Sequence, residues 1–230
     1  MATAFQRNAN AQYEALGMFV EAFEAMVDEA RESAINLIER DPHHGRLVAI
    51  ALHHTNLTAK PIFDIFRAVV AEIVKDALDV QEAKQTARER IEPPLRLGVT
   101  DEPLDLTRQD GEALFGALRA LASEYDDLQQ TRNKLLHATW FIGYPADDDP
   151  TYEKLVVRKY AATAGGLEPV TTLPKDKAEL HHLVRRCDVA RSWIAAIHAC
   201  LGGPFVIKET FKRDGGDWCL FVGQTKMPLV

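Results

Sequence analysis

The 230-residue sequence predicts a mainly α-helical protein, a bundle of about four long helices with one or two small β-hairpins. Three observations predict this fold class. Apolar residues recur at three- and four-residue steps through four long stretches, which indicates amphipathic helices. Segments rich in proline and glycine separate these stretches, and shorter segments combine β-branched and aromatic residues with turn residues, as hairpins do.

The first predicted helix covers about residues 11–40 and the second about residues 46–79. The first carries an apolar stripe of Leu16, Phe19, Val20, Phe23, Val27, Ala30, Ala34, Leu37 and Ile38, and its other side holds Glu21, Glu24, Asp28, Glu29, Arg31 and Glu32. Asp41-Pro42 ends it, because proline disfavours the helical conformation of the preceding residue. Pro61 lies inside the second helix and removes one backbone donor, so we expect a kink there. Residues 91–107 contain three prolines and a glycine, which indicates a connection.

Capping boxes mark the starts of the third and fourth predicted helices. Thr107-Arg108-Gln109-Asp110 precedes a helix that runs to about Trp140, with a buried side of Leu114, Leu118, Leu121, Tyr125, Leu128, Leu135 and Thr139. Asp176-Lys177-Ala178-Glu179 opens the fourth helix. Gly202-Gly203-Pro204 ends it, because glycine favours the backbone that closes a helix and proline cannot continue one.

The remaining segments predict the hairpins and the domain organisation. The stretch between the third and fourth helices is rich in Val and Tyr and predicts a hairpin at about residues 151–173. The apolar runs Phe205–Ile207 and Trp218–Val222 flank a glycine pair, which predicts a second small hairpin. We therefore expect one helical domain over residues 1–203 and a C-terminal tail over residues 204–230.

Composition excludes several classes of function. A net charge of -7 argues against a general nucleic-acid binder, which needs clustered Lys and Arg, although it leaves room for a local basic pocket. The three cysteines and the adjacent histidine pairs lack metal-ligand spacing, so we expect no metal and no cofactor. No apolar run is long enough to span a bilayer and the N-terminus lacks signal-peptide features, so we expect a cytoplasmic protein without membrane association.

The segment Arg132-Asn133-Lys134-Leu135-Leu136-His137, near the end of the third helix, carries the strongest chemical signal. Arginine binds phosphate in a forked contact, and histidine exchanges protons near neutral pH. Because an α-helix advances about 100° per residue, Arg132 and His137 diverge, whereas Asn133 and His137 share a face. Arg132 flanks a polar ridge of Asp126, Gln129, Gln130, Asn133 and His137. A second copy of this ridge across a twofold axis is one way to give these side chains partners.

The pattern Arg132-Asn133, three variable residues and His137, placed late in a long helix of a helical chain, resembles the HEPN domain superfamily. The resemblance implies an α-helical domain that dimerises and brings two such motifs into one cleft. Many members are metal-independent endoribonucleases found among toxins of toxin-antitoxin systems and phage-defence proteins. Other members have lost catalysis and serve as binding or dimerising modules.

The resemblance assigns a role to each motif residue. His137 would act as general base on a ribose 2′-hydroxyl or as acid for the leaving oxygen. Arg132 would bind the phosphate and stabilise charge in the transition state, and Asn133 would orient His137 or a phosphate oxygen. The neighbouring polar residues expected to contact the ligand are Gln129, Gln130 and Lys134. RNA is then the candidate substrate, a homodimer the expected assembly, and an antitoxin or regulatory protein a further candidate partner.

A structural interpretation of the same motif stays open. Arg132 could pair with Asp126, Asp127 or an acid of a partner chain and serve only to hold a dimer together. His137 could be a helix-terminal cation that interacts with the helix dipole. The alternative function is therefore a non-catalytic HEPN-like module for dimerisation or protein interaction, which the acidic net charge favours.

Overall fold

The computed structural model describes residues 4–39, 52, 57–90, 106–136, 139–140, 157–158, 160–163, 166–169, 176–202 and 205–229. The predicted fold class is confirmed, because the chain is mainly helical with four long helices and a small three-stranded antiparallel sheet. The helices are α1 (Ala4–Ile38), α2 (Ala59–Arg90), α3 (Arg108–Leu136), α4 (Lys177–Gly202) and the single-turn α5 (Ile207–Thr210). None of the helices in these ranges combines the length and apolar character needed to cross a bilayer.

The contacts divide the chain into two compact units. The first unit comprises Met1–Met26 and Tyr125–Asp188, and the second comprises Val27–Glu124 and Val189–Val230. Each has its own buried core. The first buries Phe19, Phe23, Tyr125, Leu128, Leu135, Leu180, Leu183 and Cys187, and the second buries Phe63, Phe66, Val70, Leu114, Leu118, Trp193, Ile197, Phe211 and Leu220.

The first two helices begin at positions that differ from the prediction. α1 starts at Ala4, before the predicted start at about residue 11. The prediction misses these first turns because they are polar and carry no apolar stripe. α2 covers Ala59–Arg90, and residues 57 and 58 before it are not helical. Of the earlier part of the predicted second helix, residues 46–56, only Leu52 is described, and it is helical. Pro61 is therefore the third residue of α2, where a backbone donor has no intrahelical acceptor to lose. Pro61 lies in the first turn of α2 and not in its interior, so the kink inferred from an interior position is wrong.

The first predicted capping box is confirmed, and so is the N-cap bond of the second. At the start of α3, the backbone N–H of Asp110 donates to Oγ1 of Thr107 over 3.2 Å, and Oδ2 of Asp110 accepts from the N–H of Thr107 over 3.0 Å. At the start of α4, the N–H of Glu179 donates to Oδ1 of Asp176 over 2.8 Å. These contacts satisfy amides that the helix itself leaves without acceptors.

The end of α3 differs from the prediction. α3 ends at Leu136, and Thr139–Trp140 form strand β1, which pairs antiparallel with β2 (Val157–Arg158). A β-branched and an aromatic residue fit an extended backbone better than a last helical turn. Part of the predicted hairpin at residues 151–173 is confirmed, since β3 (Tyr160–Thr163) pairs with β4 (Gly166–Pro169).

The C-terminal residues of the second unit form a sheet in the order β5 (Phe211–Asp214), β6 (Asp217–Val222) and β7 (Thr225–Pro228). The predicted turn is confirmed at Gly215 and Gly216, whose φ angles of 62° and 102° favour glycine. The predicted first strand is wrong: Ile207 begins α5, and β5 follows it. The sheet packs on α4, where Nε1 of Trp193 donates to the carbonyl of Met227 over 3.1 Å.

Candidate functional site

Arg132 stands near the end of α3, in the first unit, beside residues of that unit's core. Leu128, one turn earlier, and Leu135, three residues later, are both buried. The Arg132 side chain keeps 28% of its surface exposed. Its aliphatic stem therefore lies against apolar side chains while part of the guanidinium reaches solvent, the arrangement typical of arginine at the edge of a core.

A carboxylate and an aromatic ring of α1 hold the Arg132 guanidinium. Its Nη2 atom donates to Oε1 of Glu24 over 2.6 Å. Its Cζ atom lies 5.6 Å from the ring centroid of Phe23, a distance typical of a cation–π contact. Phe23 in turn packs on Tyr125, with ring centroids 6.0 Å apart. The aromatic contact and the charge-assisted hydrogen bond together fix both the position and the plane of the guanidinium.

Two buried polar atoms beside this pair lack partners. The Nε atom of Arg132 and the Oε1 atom of Gln129 are buried and find no hydrogen-bond partner within the part of the chain that the structure describes. The two residues are three positions apart on α3 and therefore lie on the same side of the helix. Each buried atom without a partner costs free energy, which a bound water can recover.

The other predicted site residues are distributed along the same helix end. Gln129, Asn133 and Lys134 are half-buried, and Gln130 is exposed. Their spacing places Gln129 and Asn133 one turn apart, as the predicted polar ridge requires. His137 lies outside the described residues, so its predicted pairing with Asn133 stays a prediction.

Within the chain, the acid that pairs with Arg132 is Glu24 and not Asp126 or Asp127, whereas the predicted pairing with an acid of a partner chain stays a prediction. Asp127 instead accepts a hydrogen bond of 2.7 Å from Nη2 of Arg186 on α4, an ion pair that ties α3 to α4 within the first unit. The sequence predicts Glu24 on the polar side of the first helix and Phe23 in its apolar stripe. Nothing in the sequence links them to Arg132, because the two helices that carry them meet only in the folded chain.

Comparisons of this chain with protein-family models, with curated proteins and with solved structures found no match. The chemistry of the site therefore has to be inferred from its own residues. Among the described residues, no group of three or more His, Cys, Asp and Glu side chains is placed to hold a metal ion.

The arrangement can present a fixed cation to an oxyanion. An arginine guanidinium has five N–H donors in a planar fork, and the bond to Glu24 occupies one side of that fork. An incoming phosphate would have to share the guanidinium with Glu24 or displace it. Because Glu24 and Arg132 are 49% and 28% exposed, their ion pair contributes only about 0.2–1 kcal/mol, so a phosphate can compete with it.

Proposed function

We propose that the chain is a metal-independent endoribonuclease of the HEPN type that works as a homodimer in a toxin or antiviral defence role. The observation that supports this proposal best is the fixed, partly exposed guanidinium of Arg132 with Asn133 directly after it. The four long helices fit the helical domain that the motif resemblance implies. The proposal names Arg132, Asn133 and His137 as catalytic residues.

The proposed reaction is a transesterification within the RNA chain. A ribose 2′-oxygen attacks the adjacent phosphorus, and His137 of one protomer accepts the 2′-hydroxyl proton. The bond from phosphorus to the 5′-oxygen breaks, and the leaving oxygen takes a proton from the second His137. Arg132 stabilises the charge that develops on the phosphoryl oxygens. The products are a 2′,3′-cyclic phosphate and a free 5′-hydroxyl.

Dimerisation supplies the second motif in this proposal. The helical spacing predicts that Arg132 and His137 diverge, so in this proposal a single copy does not direct both side chains at one phosphate. Two copies related by a twofold axis would place two histidines and two arginines around the same cleft. The mass of the protein in solution should then be twice the 25.7 kDa of one chain.

A second candidate is a non-catalytic helical module that binds a protein partner or dimerises. The ion pair between Arg132 and Glu24 favours it, because a satisfied cation can serve packing alone. The net charge of -7 also favours a protein partner over a nucleic acid. In this case Arg132→Ala would weaken self-association and leave RNA intact.

Cleavage of a fluorescently labelled RNA in EDTA tests the proposal. Wild-type protein should cut the RNA, and Arg132→Ala, Asn133→Ala and His137→Ala should each reduce cutting, the first and third to background. Arg185→Ala is a matched control, since it removes an exposed arginine of α4 in the same unit. A 2′,3′-cyclic phosphate at the end of the product resists phosphatase until acid opens its ring. This behaviour would identify the expected product.

Three results would overturn the proposal. Wild-type protein that leaves RNA intact under all buffers tested would remove the activity. Equal cutting by wild type, Arg132→Ala and His137→Ala would assign the activity to a contaminant or another site. If size-exclusion chromatography with light scattering shows a monomer at concentrations where RNA is cut, the proposed cleft formed by two motifs is refuted.

A further inference from the structure

A large open groove lies in the second unit, between α2, α3 and the C-terminal sheet. Its volume is about 1120 Å³, above the range of about 300–1,000 Å³ that is typical of small-molecule pockets. The groove is walled by one face of α2 around Arg67, one face of α3 around Arg119 and the start of β5. We call it the basic groove. Its size fits an extended ligand better than a single small molecule.

The basic groove concentrates positive charge in an acidic protein. Five cationic side chains line it, against two carboxylates, and they are Arg67, Arg119, Lys208, Lys212 and Arg213. All but Arg67 are exposed. Arg119 and Lys208 make no ion pair or hydrogen bond with any residue in the described ranges. Since the whole chain carries a net charge of -7, this local excess of cations is not a consequence of composition.

Neighbouring cations offset the two carboxylates of the basic groove. Asp64 lies 3.4 Å from Nζ of Lys60 and 3.8 Å from Nη1 of Arg67. Glu112 lies 3.6 Å from Nε of Arg108. Lys60 and Arg108 do not line the groove. The two carboxylates are therefore offset without any contribution from Lys208, Lys212 or Arg213.

Aromatic side chains alternate with these cations. Phe115 and Trp218 line the basic groove and are half-buried. The guanidinium of Arg213 lies 5.1 Å from the Trp218 ring centroid, across the strand pair β5–β6. Cations and aromatic rings that line one groove match sites that track a phosphate backbone and stack its bases.

We propose that the basic groove binds single-stranded RNA, with Arg119 of α3 and Lys208 of α5 contacting phosphates. The choice of RNA as the nucleic acid rests on the proposed ribonuclease function, whereas the preference for a polyanion rests on the groove alone. An acidic polypeptide is the competing occupant. Phe115, a half-buried ring in the lining, favours RNA, because a base can stack on this ring whereas an acidic side chain cannot.

Fluorescence anisotropy with a short, labelled 2′-O-methyl RNA strand tests this inference. That strand lacks the 2′-hydroxyl and cannot be cut, so binding is measured apart from cleavage. The variant is Arg119→Glu with Lys208→Glu. The control is Lys75→Glu with Arg185→Glu, which changes the net charge equally at two exposed cations outside the groove.

The groove variant should bind about tenfold more weakly than wild type, and its salt dependence should fall by about 1.4 in log–log slope for two lost phosphate contacts. The control should stay within about twofold of wild type, because exposed charges far from a ligand are screened. Equal weakening in both variants would overturn the site, since it would reflect net charge alone. Binding of a polyglutamate peptide that depends on Arg119 and Lys208, with no RNA binding, would overturn the choice of RNA.

The two proposals can fail separately. If the protein binds the 2′-O-methyl strand through the groove but cuts no RNA in EDTA, the groove proposal is supported and the ribonuclease proposal is refuted. If the protein cuts ordinary RNA and the groove variant binds the 2′-O-methyl strand as tightly as wild type, the ribonuclease proposal is supported and the groove proposal is refuted.

Discussion

The Nη2 atom of Arg132 donates to Oε1 of Glu24 over 2.6 Å, and this bond joins residues that are 108 positions apart in the sequence. It brings the arginine of the motif together with an acid on α1 that no motif includes. The bond fixes the guanidinium and at the same time offsets its charge. Removing the acid while keeping the arginine therefore separates these two effects.

Glu24→Gln should raise the rate of RNA cleavage at subsaturating RNA by up to about fivefold. The physical reason is that an ion pair of this exposure contributes about 0.2–1 kcal/mol, which phosphate binding no longer has to overcome. Glu21→Gln, an exposed acid on the same helix, is the control and should leave the rate unchanged. A loss of activity as large as that of Arg132→Ala would show instead that Glu24 takes part in the reaction.

Gly116→Ala should lower the free energy of unfolding by about 1–3 kcal/mol, because a Cβ atom at this position would overlap the indole ring of Trp218. Gly17→Ala on α1 is the matched control. Nothing lies within 4 Å of a Cβ there, so the helix should gain about 0.5–1 kcal/mol from alanine. Urea unfolding followed by circular dichroism and tryptophan fluorescence measures both. Gly116→Ala with wild-type stability would contradict the packing of the sheet on α3.

The buried thiol of Cys200 predicts a pH dependence of stability. Burial raises its pKa from an ordinary 9.0 to about 11, and a hydrogen bond with Thr210 acts in the opposite direction. The folded state then keeps the proton in a range where the unfolded chain has lost it. Stability should be intact below pH 9 and should fall by up to about 3 kcal/mol as the pH rises to 11.

Cys200→Ala isolates the contribution of this thiol. The difference in unfolding free energy between wild type and the variant should shrink from pH 8 to pH 11, because only wild type loses the contribution of the thiol. Tyrosine and lysine titrations are common to both proteins and cancel. A difference that stays constant over this range would contradict the burial of the thiol as the cause.

Asp176→Ala should lower the free energy of unfolding by about 1 kcal/mol, because the amide of Glu179 would lose its acceptor at the start of α4. Asp176→Asn should restore most of this loss, since an asparagine oxygen caps a helix nearly as well. The cost of the alanine variant should persist in high salt if the hydrogen bond dominates. Complete loss of the effect in salt would assign it to charge near the helix end.

Features fixed by nearby residues were predictable from the sequence. The caps at Thr107 and Asp176 and the turn at Gly215-Gly216 depend on side chains or φ angles within four positions, so short patterns reveal them. Pro61 misled the prediction because proline fits both a kink and a first helical turn. Only the flanking residues distinguish a kink from a first helical turn. Their apolar periodicity continues on both sides of Pro61, which favours the kink in a prediction from sequence.

Features fixed by tertiary packing were not predictable. The partner of Arg132 lies on another helix, and the sequence offers several acids nearer to it, among them Asp126 and Asp127. The basic groove combines cations from three separate stretches, none of which is a basic run by itself. Periodicity identifies the apolar side of each helix but gives no information on which polar residues of two helices meet.

The contact of Trp218 with Gly116 bears on how the chain can be shortened for experiments. The last strands belong to the same compact unit as α2 and the start of α3, so a fragment that stops at residue 203 omits part of a folded core. It would leave the ring of Trp193 without the carbonyl that accepts its N–H and without the Phe211 ring packed 5.5 Å away. Such a fragment would expose apolar surface that is buried in the whole chain, and it would aggregate. A loss of activity on truncation would therefore say nothing about catalysis.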